Sequence, residues 1–193
     1  DGAGAVVLQP KPHPQALSLR VDWVDIHSYA HELPVCMSLG VEPGNTDLAG
    51  LALSQPSMAV AEEMGLTYVL QDPKVLMRHV GPTGLRAFQR LVDSGVLDLS
   101  RIDHFLPHLS SYAFLHQMQS LLAEAGLSIP EHKWFMNLRS KGNTGAASIY
   151  VALEEAFRSG RFKPGERILL FVPESARFSY GFVQLTCVEG GCV

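Results

Sequence analysis

The stretch Gly142-Asn143-Thr144-Gly145-Ala146-Ala147-Ser148-Ile149 decides how the chain is read. Its glycines permit a tight turn. Asn143 falls where a helix starts, and the small residues that follow let that helix approach its neighbours closely. The helix carries the stripe Ala146, Ile149, Leu153, Ala156 and Phe157, and Gly160 ends it. A helix start offers unpaired N–H groups and favours developing negative charge.

Working outward, Ile102–Leu106 reads as a buried strand stopped by Pro107, with His108 directly after it. Ser110 or Ser111 can cap the next helix, whose stripe is Phe114, Leu115, Met118, Leu121, Leu122 and Ala125. Lys133–Leu138 reads as a strand, and Arg167–Val172 and Phe182–Val188 as two more. This β-α-β-α-β-β core predicts an α/β fold: a mixed β-sheet with packed helices. On the N-terminal side, Ala5–Gln9 reads as a short strand stopped by prolines, and the alternation of Leu17–Ile26 gives another. Residues 31–72 read as an irregular excursion, with a short helix around Met58–Met64. Val75–Val80 reads as a strand, followed by a helix near Thr83–Asp93 that Gly95 ends.

The totals set bounds. A length of 193 residues suits one domain that buries its own core, and 47% hydrophobic with 18% charged residues describes an ordinary soluble globular chain. The net charge of −4 provides no global field for nucleic acid, so no nucleic-acid partner is expected and an acidic partner would need a local basic patch. No apolar run reaches membrane-spanning length, so no membrane partner is expected either. Cys36, Cys187 and Cys192 form neither a CxxC pair nor a zinc spacing, and a sparse, odd set fits a reducing, cytoplasmic setting. His104 and His108 lack a third nearby ligand, so no metal is expected.

Two places can carry chemistry. A strand's C-terminal end in an α/β sheet is where ligands bind, and His108 stands there. Asn143 stands at a helix start. Aimed at one point, a neutral His and an Asn amide donate two hydrogen bonds to an oxyanion or enolate. On spacing alone, each also has an ordinary explanation: a satisfied polar residue after a strand, and a plain N-cap.

These strings resemble the second half of β-ketoacyl-acyl-carrier-protein synthase III, a thiolase-fold condensing enzyme. The resemblance rests on Pro107-His108, on the Gly142–Ile149 block, on Leu153-Glu154-Glu155-Ala156, and on the run from Arg158 to Glu166. The opening Asp1-Gly2-Ala3-Gly4-Ala5-Val6-Val7-Leu8 looks like a Gly-Asp-Gly-Ala-Gly-Ala strand of that family, so residues 1–9 resemble the last strand of the N-terminal half. Residues 1–193 are then the C-terminal, thiolase-like half, and the nucleophilic Cys belongs to an N-terminal half that this sequence does not contain.

The resemblance implies a decarboxylative Claisen condensation of an acyl thioester with a malonyl thioester, in fatty-acid or polyketide-type synthesis. His108 and Asn143 would complete a Cys-His-Asn triad. Ser111, Phe178 and Tyr180 are expected to contact substrate, and Arg139 and Lys141 to dock a carrier. No cofactor is implied, since the substrates ride on acyl carrier protein or coenzyme A, and the enzyme is expected to be a homodimer. A non-catalytic subunit of the same fold is the alternative. This chain departs from the family at His108-Leu109-Ser110-Ser111, where relatives commonly read His-Gln-Ala-Asn, and at Ala113, where an Arg often helps carrier docking. Glu174–Gly181 replaces a glycine-rich loop, which points to a specialised relative with a reshaped pocket.

Overall fold

A computed structural model describes residues 2–40 and 57–190 of the chain. Its strands are β1 (Ser18–Ser28), β2 (Met37–Leu39), β3 (Val69–Gln71), β4 (His104–Pro107), β5 (Arg167–Glu174) and β6 (Ser179–Val188). Its α-helices are α1 (Met58–Glu63), α2 (Pro73–Asp93), α3 (Tyr112–Glu124), α4 (Leu138–Lys141) and α5 (Ser148–Arg158). The main sheet has the order β1-β6-β5-β4. β4 pairs parallel to β5, with His104 opposite Ile168 and Pro107 opposite Phe171. β5–β6 and β6–β1 are antiparallel, so the sheet is mixed.

The alternation of β5 explains the layering. Leu169 and Phe171 face one side, where Ala87, Phe88 and Leu91 of α2 and Leu122 of α3 pack on them. Ile168 and Leu170 face the other side, against Ala156 of α5 with Ile149 and Leu153 beside it. Successive strand residues point to opposite faces, so one buried strand feeds both layers. Phe88 sits among three rings, with centroids 6.0 Å from Phe105 and 4.9 Å from both Phe171 and Phe182.

Several sequence expectations need correction. Val75–Val80 is not a strand but part of the 21-residue α2. The Asp72 carboxylate accepts from the N–H groups of Lys74 (2.8 Å) and Val75 (3.0 Å), and Pro73 fills the first turn, where its missing N–H costs nothing. Lys133–Leu138 is not a regular strand. It begins in a 3₁₀ turn, touches β4 through one parallel bridge between Trp134 and Phe105, and leads into α4. Ala5–Gln9 runs outside any strand, and Val7 is 90% exposed. Within 31–72, β2 and β3 form a small antiparallel sheet, and the expected short helix is α1. Residues 41–56 of that stretch lie outside the described residues.

Candidate active site

β4 delivers His108. The strand is buried along its whole length, and the His108 N–H donates to the Phe171 carbonyl at 2.8 Å, fixing the backbone just beyond the strand end. The ring is partly buried, and no side chain among the described residues bonds to it. Burial pushes its pKa below the ordinary imidazole value. The ring is therefore neutral at physiological pH, with one N–H to donate.

The turn before α5 delivers Asn143. Gly142 adopts φ 71°, a left-handed conformation that suits glycine and reverses the chain out of α4. The Asn143 Oδ1 accepts from the Gly145 N–H at 2.9 Å. With its oxygen held by the backbone, the amide keeps its Nδ2 hydrogens as donors. The turn is tied further: the Ser148 Oγ lies 3.0 Å from both the Thr144 N–H and the Thr144 Oγ1.

His108 and Asn143 line the same cavity, of about 480 Å³. Its lining also includes Ser110, Glu174 and Ser175, together with residues of α2 and α3. Pockets of this size, mostly apolar with a few convergent polar groups, are characteristic of small-molecule sites.

Of the other expected site residues, Tyr180 lines the same cavity and the rest fall elsewhere. Ser111 occupies the N-cap position of α3 without a side-chain cap bond, and Ser110 rather than Ser111 reaches the cavity. Phe178 is fully buried at φ 56° in the β5–β6 turn, edge-on to His79, and outside the cavity lining. The Tyr180 ring backs the cavity, but its hydroxyl points into α2, where it donates to the Val80 carbonyl at 2.7 Å and lies 2.5 Å from the Thr83 Oγ1. Burial raises its pKa far above the ordinary phenol value.

Arg139 and Lys141 are exposed on α4, just before Asn143, and make no ion pair among the described residues. Two other arginines on α2 are engaged: Arg86 pairs with Glu32 at 2.9 Å, and Arg90 pairs with Asp25. His104 is engaged too, with its Nε2 2.8 Å from the Glu166 carboxylate and its Nδ1 accepting from Arg161 at 3.2 Å, so it is not free to join His108 on a metal. Cys36 and Cys187 are both buried and their thiol pKa values are raised, that of Cys187 to about 11, with desolvation as the main cause. Neither lines the cavity. Cys192 lies outside the described residues.

The α2 wall of the cavity escaped the sequence reading because its first turns were taken for a strand. The signal that would have found it was Asp72-Pro73, a capping acid followed by proline.

Comparison with known proteins converges on one family. Residues 93–181 match the model for the C-terminal domain of 3-oxoacyl-[acyl-carrier-protein (ACP)] synthase III. The chain is 31% identical over 176 residues to the acetoacetyl CoA synthase NphT7 of Streptomyces sp. (strain CL190), covering 88% of this chain and 46% of that protein. It is 30% identical over 173 residues to the β-ketoacyl-[acyl-carrier-protein] synthase III of Roseiflexus sp. (strain RS-1), again covering 88% and 46%. The chain thus spans about half the length of the curated relatives it matches. Among solved structures, the synthase III of Aquifex aeolicus VF5 superposes with a TM-score of 0.60 at 20% identity, covering 87% of this chain and 44% of that one. An OleA of Xanthomonas campestris superposes with a TM-score of 0.60 at 17% identity, covering 88% and 40%. No helix among the described residues is long and apolar enough to cross a membrane. Residues 93–181, with the strand that ends in His108 and the turn that carries Asn143, thus match a 3-oxoacyl-[acyl-carrier-protein] synthase III C-terminal domain, and the mixed sheet has the fold of the thiolase-like condensing enzymes.

Proposed function

We propose that this chain supplies the His and Asn of a Cys-His-Asn site that condenses an acyl thioester with a malonyl thioester. The observation that carries the reading is the delivery of His108 and Asn143, from a strand end and a helix start, to one largely apolar cavity. In the reaction, the bond from the malonyl carboxylate to its neighbouring carbon breaks and carbon dioxide leaves. The electron pair passes into the thioester enolate. The His108 N–H and the Asn143 Nδ2–H donate to the enolate oxygen. The enolate carbon then attacks the acyl group held as a thioester on the catalytic Cys, and the thiolate leaves.

The Cys would come from a segment outside this sequence, which spans about half the length of the curated relatives it matches. Cys36 and Cys187 are buried away from the cavity with raised pKa values, so neither replaces it. A neutral His108 suits a donor that must not surrender its proton, and the Gly145 N–H on the Asn143 oxygen sets the amide before charge develops. Donors placed in advance need no reorganisation as the enolate forms. A non-catalytic subunit would need neither donor in the cavity. Arg139 and Lys141, unpaired and beside the catalytic turn, remain available to an acidic carrier protein, and their attraction would weaken with salt.

The test is malonyl-thioester decarboxylation by the enzyme with its cysteine-bearing half present. His108→Ala and Asn143→Ala are each expected to slow it by about 10²–10³, equivalent to about 3–4 kcal/mol. Decarboxylation at the parental rate in both variants would overturn the assignment.

A further inference from the structure

Asn143 follows a turn that has little to hold it locally. α4 has only 4 residues, too few to persist unaided. Its bonds converge on Asn137, whose carbonyl accepts from the N–H groups of Ser140 (3.0 Å) and Lys141 (2.9 Å) and from the Ser140 hydroxyl (3.1 Å). Whatever holds Asn137 therefore holds the turn that ends in Gly142 and Asn143.

An asparagine at that position ordinarily caps the helix with its side chain. The Asn137 side chain makes no cap bond. Instead its Nδ2 donates to the Glu155 Oε2 at 2.7 Å, across 18 residues of sequence and onto α5. The neighbouring Glu154 is exposed and pairs with Arg158 one turn on, at 2.7 Å. Glu155 is half-buried and spends its carboxylate on the loop. Ser148, Ala152 and Glu155 share one face of α5. Ser148 holds the Thr144 end of the loop, through contacts of 3.0 Å to the Thr144 N–H and hydroxyl, and Glu155 holds the Asn137 end. Ala152 between them is small and buried, so the loop lies close on the helix. Leu138 and Gly142 of the loop also share a small crevice with Pro107 and His108. The clamped loop thus packs on the strand end that carries the other donor.

We infer that Glu155 is a positioning residue for Asn143: by holding Asn137 it fixes the clamped loop, and with it the place of the Asn143 amide relative to His108. The inference rests on the reading of Asn143 as an enolate donor. Glu155 lies outside the cavity lining, so it acts through the loop and not on substrate. A hydrogen bond to a carboxylate is among the stronger and more directional ones. A group misplaced by about 1 Å can cost about 10²-fold in rate. Loss of the Asn143 donor itself sets the ceiling, at about 10²–10³.

The experiment measures malonyl-thioester decarboxylation by the enzyme with its cysteine-bearing half present. Beside it, mass spectrometry follows deuterium exchange in the peptide carrying the Gly145 N–H, which the Asn143 Oδ1 holds. Glu155→Ala should lower kcat by about tenfold to 10²-fold at unchanged KM, and should speed that exchange. Glu155→Gln keeps an acceptor for Asn137 and should recover most of both. In an Asn143→Ala background, Glu155→Ala should cost no further rate, because the group it positions is gone. A merely structural Glu155 would cost the same in both backgrounds. Asn137→Ala removes the bond from the other side and should match Glu155→Ala, so a folding failure in one variant leaves the other to decide. With Asn143→Ala slow, any of three results would overturn the inference alone: parental kcat in a folded Glu155→Ala or Asn137→Ala, an equal loss in both backgrounds, or unchanged Gly145 exchange. Parental decarboxylation in Asn143→Ala, alongside faster Gly145 exchange in Glu155→Ala, sinks the reaction assignment alone.

Discussion

Tyr180→Phe isolates a single buried hydroxyl. That hydroxyl donates to the Val80 carbonyl at 2.7 Å and meets the Thr83 Oγ1 at 2.5 Å, and Thr83 reaches the His79 carbonyl at 2.6 Å. The phenylalanine ring would keep its place parallel to Phe171, with planes 7° apart, so almost no packing is lost. What is lost is the partner of groups on α2 beside Pro82, whose missing N–H already interrupts the helix ladder. Thr83 can still turn to His79, but the Val80 carbonyl loses its side-chain donor. A buried polar group left unpaired costs about 1–3 kcal/mol, and partial recovery within the helix places the expectation at about 2 kcal/mol. Urea unfolding would read it as a lower midpoint with an unchanged slope. Alkali gives a second readout. Burial holds the Tyr180 pKa above its unfolded value near 10, so its contribution is intact below about pH 10 and declines as pH rises further, because the unfolded chain gives up the proton first. The Phe variant should lack that decline. A variant within about 0.5 kcal/mol of the parent would refute the account of Tyr180 as a clamp on α2.

Phe88→Ala, at the centre of the aromatic cluster, should cost about 3–5 kcal/mol in urea unfolding, and less than about 1 kcal/mol would contradict the central packing role. His108 binds protons less readily folded than unfolded, so stability should fall as pH drops from about 6.5 to its lower folded pKa. His108→Gln should flatten that slope, and an unchanged slope would show that the ring titrates freely. Cys36 and Cys187 should resist iodoacetamide at neutral pH until the chain is unfolded, as peptide mass mapping can check. Rapid native labelling of either would contradict their burial.

The sequence was most legible where local pattern and tertiary role agree. β5 and β6 are apolar and β-rich, and both were placed within a few residues of their ends. His108 and Asn143 were singled out because a proline-ended strand and a glycine turn mark positions that only topology can bring together, and both line one cavity. Val75–Val80 failed because Gly81-Pro82 looks like a breaker, whereas a capped start, Leu76 buried below it and the Tyr180 clamp carry the helix through. Lys133–Leu138 failed for the opposite reason. Trp134 and Phe135 suit a strand, but Trp134 spends its indole N–H on the Ile129 carbonyl and only one bridge to β4 forms. Which apolar side chains of α2 and α3 would line the cavity was not legible, since that depends on how the two helices pack.

The interruption of α2 at Pro82 also divides the helix dynamically. Beyond it, Ala87, Phe88 and Leu91 are locked under the sheet, with 0%, 1% and 2% of their surfaces exposed. Before it, only Leu76 is buried, and the first turn hangs on the Asp72 cap. Amide hydrogens on the two sides should therefore exchange with solvent water on different timescales: those after Pro82 only with global opening, and those before it through local fraying. The segment before Pro82 supplies Leu76, Val80 and Gly81 to the cavity wall. That part of the cavity wall should therefore loosen while the aromatic core beneath it stays shut.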